Sequence, residues 1–477
     1  MKKYYVTTSI PYVNASPHVG FALELVQADV VARYHRLLGQ ETRFQTGTDE
    51  NAFKNVMAAR EQGVTTQELV DRNSELFRNL NVALGISADE FLRTTETRHT
   101  RAVQVLWGRL SSGDIYRMPY TGLYCTGCED FLMERNLVDG SCIEHASPPI
   151  QVQEENYFFR LSAYQEQIER LIADDRVRVV PEARKNEVLS FIRQGLRDIS
   201  VSRTQARSGG WGIPVPADPS QVIYVWIDAL INYISGLGFG TTDDWNRYWD
   251  EQTEKIHVIG KNVWKFHAIY WPALLLSAKL PLPDAIVVHG FLTENGRKIS
   301  KSLGNSIDPF ACIEQVGADG VRYYLLRSVS SFTDSDFSSQ RLLRAYNTEL
   351  ANDLGNLVSR LTTLCVKAGY GRFDTQYAPQ APAGYHEALK SYEFDRALDT
   401  IWQIVDEVNR NIQQAEPWKV LKEGRMEETR RQITKWLEEL HRIGHWLQPF
   451  MPQAAGKILA AVSSAPIVES RPIFPRI

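Results

Sequence analysis

The sequence predicts an α/β protein whose parallel sheet is interrupted by an inserted module and followed by a bundle of helices. Three observations carry this reading. An apolar, β-rich stretch, Tyr4–Ile10, runs into Ser16-Pro17-His18-Val19-Gly20 and then into apolar residues at helical spacing: Ala22, Leu25, Val26, Val30, Tyr34 and Leu37. Around residues 114–220 the pattern changes to short, turn-rich segments that hold three clustered cysteines. From about residue 340 strand-like runs stop, and apolar residues recur at three and four. The expected organisation has four parts. Residues 1–113 form the first half of a Rossmann-like sheet, and 114–220 the inserted connective module. Residues 221–340 complete the sheet, and 341–477 are all helix.

Each element has its own justification. A strand, a Pro-His-x-Gly turn and a helix start make an anion site, because helix N-termini present free N–H groups and glycine lets a phosphate approach the backbone. Glu41–Thr46 reads as the second strand and ends at Gly47-Thr48-Asp49, placing a carboxylate where open α/β sheets hold ligands. Val222–Trp226 and Lys255–Gly260 read as the resumption of the sheet, and Ala285–Val288 as a further strand. After it comes Lys298-Ile299-Ser300-Lys301-Ser302, a small loop with two ammonium groups three residues apart. Such lysines can follow negative charge as it builds on a leaving phosphate group. In the last part, Phe394, Ala397, Leu398, Ile401, Val405, Val408 and Ile412 form one helical stripe. Ile433, Trp436, Leu437, Leu440, Ile443 and Leu447 form another, and Ala378–Gly384 reads as a loop between bundle helices.

Composition narrows the class. With 477 residues the chain suits roughly three domains. Its 43% hydrophobic and 23% charged residues are those of a globular protein. A net charge of −4 excludes a uniformly basic nucleic-acid binder, so any such contact must use local patches. No run of about 18 apolar residues exists, and no membrane span is expected. Met1-Lys2-Lys3 starts like a leader, but polar residues and Pro11 break the next stretch, so it reads as the first core strand. Cys125-Thr126-Gly127-Cys128 and Cys142-Ile143-Glu144-His145 are two knuckles suited to a tetrahedral Zn²⁺ held by Cys125, Cys128, Cys142 and His145. With no open position the ion would be structural. Cys312 and Cys365 read as core. This cysteine usage fits a reducing, cytoplasmic location.

Over nearly its whole length the chain resembles the bacterial methionyl-tRNA synthetases, of the class I aminoacyl-tRNA synthetase family. The likeness runs through Tyr12-Val13-Asn14-Ala15-Ser16-Pro17-His18, Thr46-Gly47-Thr48-Asp49-Glu50 and Gly122-Leu123-Tyr124-Cys125. It continues through Asn156–Arg160, Trp211-Gly212-Ile213-Pro214 and Tyr224–Ala229, and closes with His289–Leu292 and Asp353–Leu357. The resemblance implies ATP-dependent activation of methionine, with ATP as its Mg²⁺ complex, and transfer to initiator and elongator tRNA(Met). By resemblance Ile10, Tyr12, Trp226, Ala229, Tyr233, Val263 and His267 line the methionine pocket, and Asp49 takes the α-ammonium. His18, Gly20, Phe21, Gly260, Asn262, Lys298 and Lys301 hold ATP, with His18, Lys298 and Lys301 catalytic. Asn356, Arg360 and Trp418 read the anticodon, the tryptophan by stacking on a splayed base. No dimerisation segment follows residue 477, so a monomer is expected.

The sequence also departs from the family. Phe21 and Asn51-Ala52 stand where histidine and His-Gly are usual, and Asn262 where aspartate is usual. All are expected beside the nucleotide, and each lost donor is worth on the order of 10²–10³ in rate. Phe21 could instead stack on adenine, and Asn262 bond a ribose hydroxyl. Two other readings are a paralogue serving a different acceptor and a non-catalytic RNA-binding relative. Asn356, Arg360 and Trp418 argue against the first, and the intact Lys298–Ser302 loop against the second.

Overall fold

The structure, a computed structural model, describes residues 2–477 except 126–129, 133–136, 144–146, 295, 300–305 and 375–377, and describes only the backbone of 130, 297 and 298. Two compact units result. The first comprises Met1–Pro17, Gln40–Asn79 and Ala88–His289; the second comprises His18–Gly39, Leu80–Ser87 and Gly290–Ile477.

At the centre of the first unit is a six-stranded sheet in the order Glu90–Arg93, Glu41–Thr48, Lys3–Thr8, Thr253–Gly260, Ala285–His289, Arg178–Val180. Every pairing is parallel. Tyr4–Thr8 and Lys255–Gly260 are continuously buried, as parallel strands covered on both faces must be. Gly47 is needed on the second strand, because a Cβ there would lie 2.1 Å from the Leu92 carbonyl oxygen. Strand order reverses between Lys3–Thr8 and Thr253–Gly260. The carboxyl ends of these two strands therefore open the crevice in which such sheets bind ligands.

Two expectations are corrected in this unit. The stretch 114–220 is not wholly an insertion, since Arg178–Val180 joins the edge of the main sheet beside Ala285–Val287. Three residues are too few to show a strand period. The inserted part is an antiparallel sheet built on Ile115–Cys125 paired with Ile150–Phe159 and flanked by Ile199–Ser200 and Asp130–Leu132. Nor does Val222–Trp226 resume the parallel sheet. Asp218–Ile223 is the middle of a small antiparallel sheet, and Val225–Leu230 is a helix. A short apolar run fits either state, and packing decides between them.

In the second unit, helix Val19–Leu37 is fixed by a fully buried ion pair, Asp29 to Arg322 at 2.7 Å. Burial alone would raise the Asp29 carboxyl, but Arg322, Arg33 and Ser87 outweigh it and hold the carboxyl low. Arg322 also donates to the carbonyls of Phe450 (2.7 Å) and Pro449 (2.9 Å), so no donor charge is stranded. Leu292–Glu294 pairs with Arg297–Lys298 and Ser335–Asp336, the last strands among the described residues. The bundle comes next, with helices Asn356–Lys367, Phe394–Ala415, Met426–Leu447 and Pro452–Ser463. Both apolar stripes read from the sequence are buried in it. The loop Ala378–Gly384 is fastened by Trp446 Nε1 to the Pro379 carbonyl (3.1 Å) and by Arg442 to that of Gln380 (2.8 Å).

Candidate active site

The cavity at the switch point lies wholly in the first unit. It is partly open to solvent and is lined by Ser9 and Ile10 after the first strand, Val263 and His267 after Thr253–Gly260, and Trp226, Ala229, Leu230, Asn232 and Tyr233. Six residues expected there from the sequence line it: Ile10, Trp226, Ala229, Tyr233, Val263 and His267. Tyr12 stands beside it, its ring 5.8 Å from that of Trp226, and its backbone pairs with Asp49. Asp49 is 1% exposed, and its N–H donates to the Pro11 carbonyl (2.8 Å). An apolar slot with aromatic walls suits an unbranched apolar side chain, and Asp49, buried at the neighbouring strand end, is a carboxylate of the kind that pairs an α-ammonium group.

Sequence reasoning missed much of what shapes the slot. Phe266 stacks on Trp226 with centroids 3.8 Å apart. Below, the Tyr5 hydroxyl lies 2.8 Å from both Gln45 Oε1 and the Tyr233 carbonyl, which share its one hydrogen, and the Gln45 amide donates to the Asn232 carbonyl (2.9 Å). Tyr233 bonds His267 Nε2 through its hydroxyl (2.6 Å) and stacks on His257 at 4.1 Å. None of these partners is adjacent in sequence, so no local pattern announced them.

His257 has a consequence for stability. Burial first, then the His267 and Lys255 charges, hold its imidazole well below the ordinary value of 6.5. Between that lowered value and 6.5 the unfolded chain binds a proton that the folded one refuses, so stability falls as pH drops below about 6.5. The expected slope for one such group is about 1.4 kcal/mol per pH unit. Denaturant unfolding between pH 7.5 and 5.5, with NMR of selectively labelled histidine, checks this. A His257 resonance titrating near 6.5 in the folded protein would refute it.

The residues expected at a nucleotide are described in part. His18 caps helix Val19–Leu37 and its Nδ1 accepts the Gly20 N–H at 3.0 Å, so that amide, expected to face a phosphate, already serves the cap. A Cβ at position 20 would lie 2.8 Å from the His18 ring, which explains the glycine. Phe21 is buried. Val19 N–H donates to the Ile307 carbonyl (3.1 Å), tying the signature turn to the chain leaving the lysine loop. Lys298 pairs with Thr293 through its backbone, whereas Lys301 lies outside the described residues. In the first unit, Asn262 is exposed, and its Oδ1 would meet a Cβ on Gly260 at 3.0 Å. Ala52 is fully buried at the start of helix Phe53–Glu61. Asn51 donates to the Thr94 carbonyl (3.1 Å) and to Asp228 Oδ2 (2.7 Å).

Of the four residues expected to hold a metal, Cys125 and Cys142 are buried at strand ends, while Cys128 and His145 lie outside the described residues. Among the described residues no group of three metal-binding side chains occurs. In the bundle, Asn356 is exposed, and Arg360, one turn on, is half-buried and donates to Asn409 Oδ1. Asn409 in turn donates to the Asp353 carbonyl (3.1 Å). Trp418, on helix Pro417–Lys422, is 36% exposed, whereas Trp402, Trp436 and Trp446 are at most 6% exposed. Trp418 is thus far more exposed than these three tryptophans of the bundle.

The chain matches the family model "tRNA synthetases class I (M)" over residues 4–148 and 136–362. It is 40% identical to a Thermotoga maritima methionine--tRNA ligase, covering 97% of this chain and 75% of that protein. It is 43% identical to a Mycobacterium bovis methionine--tRNA ligase, covering 98% and 93% respectively. Among solved structures it resembles Mycobacterium tuberculosis methionyl-tRNA synthetase in complex with methionyl-adenylate, with a TM-score of 0.90 at 39% identity and full coverage of both chains.

Proposed function

This chain belongs to the methionine--tRNA ligase family of class I tRNA synthetases, and we propose a division of that reaction's two steps among its residues. In the first step, the methionine carboxylate attacks the α-phosphorus of Mg²⁺·ATP, forming methionyl-adenylate and releasing pyrophosphate. In the second, a hydroxyl of the terminal adenosine of initiator or elongator tRNA(Met) attacks the adenylate carbonyl and releases AMP. No side-chain nucleophile is required, so catalysis rests on positioning and electrostatics.

The observation that carries this reading is the slot lined by Ile10, Trp226, Ala229, Tyr233, Val263 and His267, with Asp49 buried at the neighbouring strand end. Aromatic walls suit a polarisable thioether, and Asp49 pairs the α-ammonium. By family likeness, roles toward ATP fall to His18, Gly20 and Phe21 in the second unit and to Gly260 and Asn262 in the first. Lys298 and Lys301 neutralise the departing pyrophosphate. Cys125 and Cys142 are buried, and with Cys128 and His145 they are the donor set a zinc ion would take. The ion's chemistry there would be structural, holding the inserted module together. Thiols kept for a metal suit a cytoplasmic protein. Among the described residues no helix is long and apolar enough to cross a membrane.

Methionine-dependent ATP–pyrophosphate exchange, followed by charging of purified tRNA(Met), tests the assignment. Absence of exchange with methionine would overturn it. Asn356, Arg360 and the exposed Trp418 read the anticodon. Trp418→Ala is therefore expected to lose a stacking contact of about 1–3 kcal/mol, weakening charging while pyrophosphate exchange is unchanged. Equal loss of both activities would return Trp418 to a structural role.

A further inference from the structure

We propose that Asn51 is a positioning residue for methionine, not for the nucleotide: its amide ties the strand end bearing Asp49 to the helix bearing Trp226 and Ala229. This rests on the methionine-pocket reading above and deepens it. The amide nitrogen carries two hydrogens, and each has an acceptor. One is the Thr94 carbonyl at 3.1 Å; the other is Asp228 Oδ2 at 2.7 Å. Asp228 is fully buried, and its other oxygen meets His99 Nε2 at 2.7 Å. His99 Nδ1 in turn reaches Ser235 Oγ at 2.7 Å. Asp228 and Ser235 thus anchor both ends of the segment from which Ala229, Leu230, Asn232 and Tyr233 enter the pocket.

The other side of the link is equally firm. Thr94 Oγ1 accepts the Glu50 N–H (2.8 Å), and Arg93 grips the Glu50 carboxylate at 2.7 and 3.0 Å. Asn55 donates to the Glu50 carbonyl at 2.8 Å. Asp49, between these bonds and the Pro11 carbonyl, has little freedom of its own. Asn51 therefore joins two rigid strips, each carrying methionine-pocket residues, by a charge-assisted bond to a buried carboxylate. Alanine would leave Asp228 Oδ2 without that donor. Aspartate, the same shape, would set a second negative charge against Asp228. Small displacements of positioned groups cost large factors in binding and rate, so the effect falls on methionine.

The test is pyrophosphate exchange by the full chain, varying methionine and ATP separately, with thermal midpoints measured alongside. Asn51→Ala is expected to raise KM for methionine about tenfold, leave KM for ATP within about twofold, and lower the midpoint modestly, since a buried acceptor loses its donor. Asn51→Asp is expected to raise the methionine KM further. A double substitution with Asp228→Asn should be less than additive, because both changes remove one contact. An unchanged methionine KM, a rise confined to ATP, or equal loss of both with a lowered midpoint would each overturn the assignment. Asp49→Ala is the control. If it too leaves methionine KM unchanged, the pocket reading itself fails; if it raises that KM while Asn51→Ala does not, only the role of Asn51 is lost.

Discussion

Replacing Lys301 by alanine is expected to lower the rate of methionyl-adenylate formation by about 10²- to 10³-fold, the cost of removing one preorganised charge from a developing oxyanion. The chemistry requires it. As the α-phosphorus changes partners, negative charge moves onto the β- and γ-phosphates. An ammonium that meets this charge binds the transition state more tightly than the ground state, so the loss appears in kcat and not in methionine affinity. Two features of the second unit support the role. His18 caps the helix that the signature turn begins, and Val19 N–H is bonded to the Ile307 carbonyl, holding the chain that leaves the lysine loop beside that turn. Pre-steady-state pyrophosphate release with saturating methionine checks the expectation. A rate within about threefold of the parent would remove Lys301 from the catalytic set.

The second large effect belongs to Asp49. Asp49→Asn keeps the shape of the side chain and removes its charge, so an incoming α-ammonium would lose a charge-assisted bond inside a buried site. Such a bond is worth about 1.5–3 kcal/mol, or one to two orders of magnitude in kcat/KM for methionine. ATP affinity should stay within about twofold, because Asp49 lies 1% exposed at the end of the second strand, backed by its N–H bond to Pro11. Isothermal titration with methionine alone separates the two ligands. Undiminished methionine binding would show that the carboxylate serves the fold and not the substrate.

How far these sites were legible differs by residue, for physical reasons. The strand at Lys3–Thr8, the helix after His18, the strand at Lys255–Gly260 and the bundle stripes were readable because each is a local period of apolar residues written by what that segment must bury. The pocket residues entered by family likeness, and the structure brings Ile10, Trp226, Ala229, Tyr233, Val263 and His267 to one cavity. Asn51 shows the limit. The sequence marks it as a departure, and likeness alone would set it beside the nucleotide. Its hydrogen bond to Asp228 joins residues 177 positions apart, and no local pattern encodes that distance.

The sequence by itself determined an α/β sheet with a cysteine-bearing insertion, a helix bundle and a carboxylate at a strand end, and it raised two motifs as candidates for phosphate. All of these rest on spacing and side-chain chemistry within about twenty residues. Only the tertiary structure decided that Val225–Leu230 is a helix and that Arg178–Val180 completes the main sheet. It alone set His257 under Tyr233 and gave the Gly20 amide to His18. The choice fell to which surfaces were left to cover and which buried polar groups still needed partners.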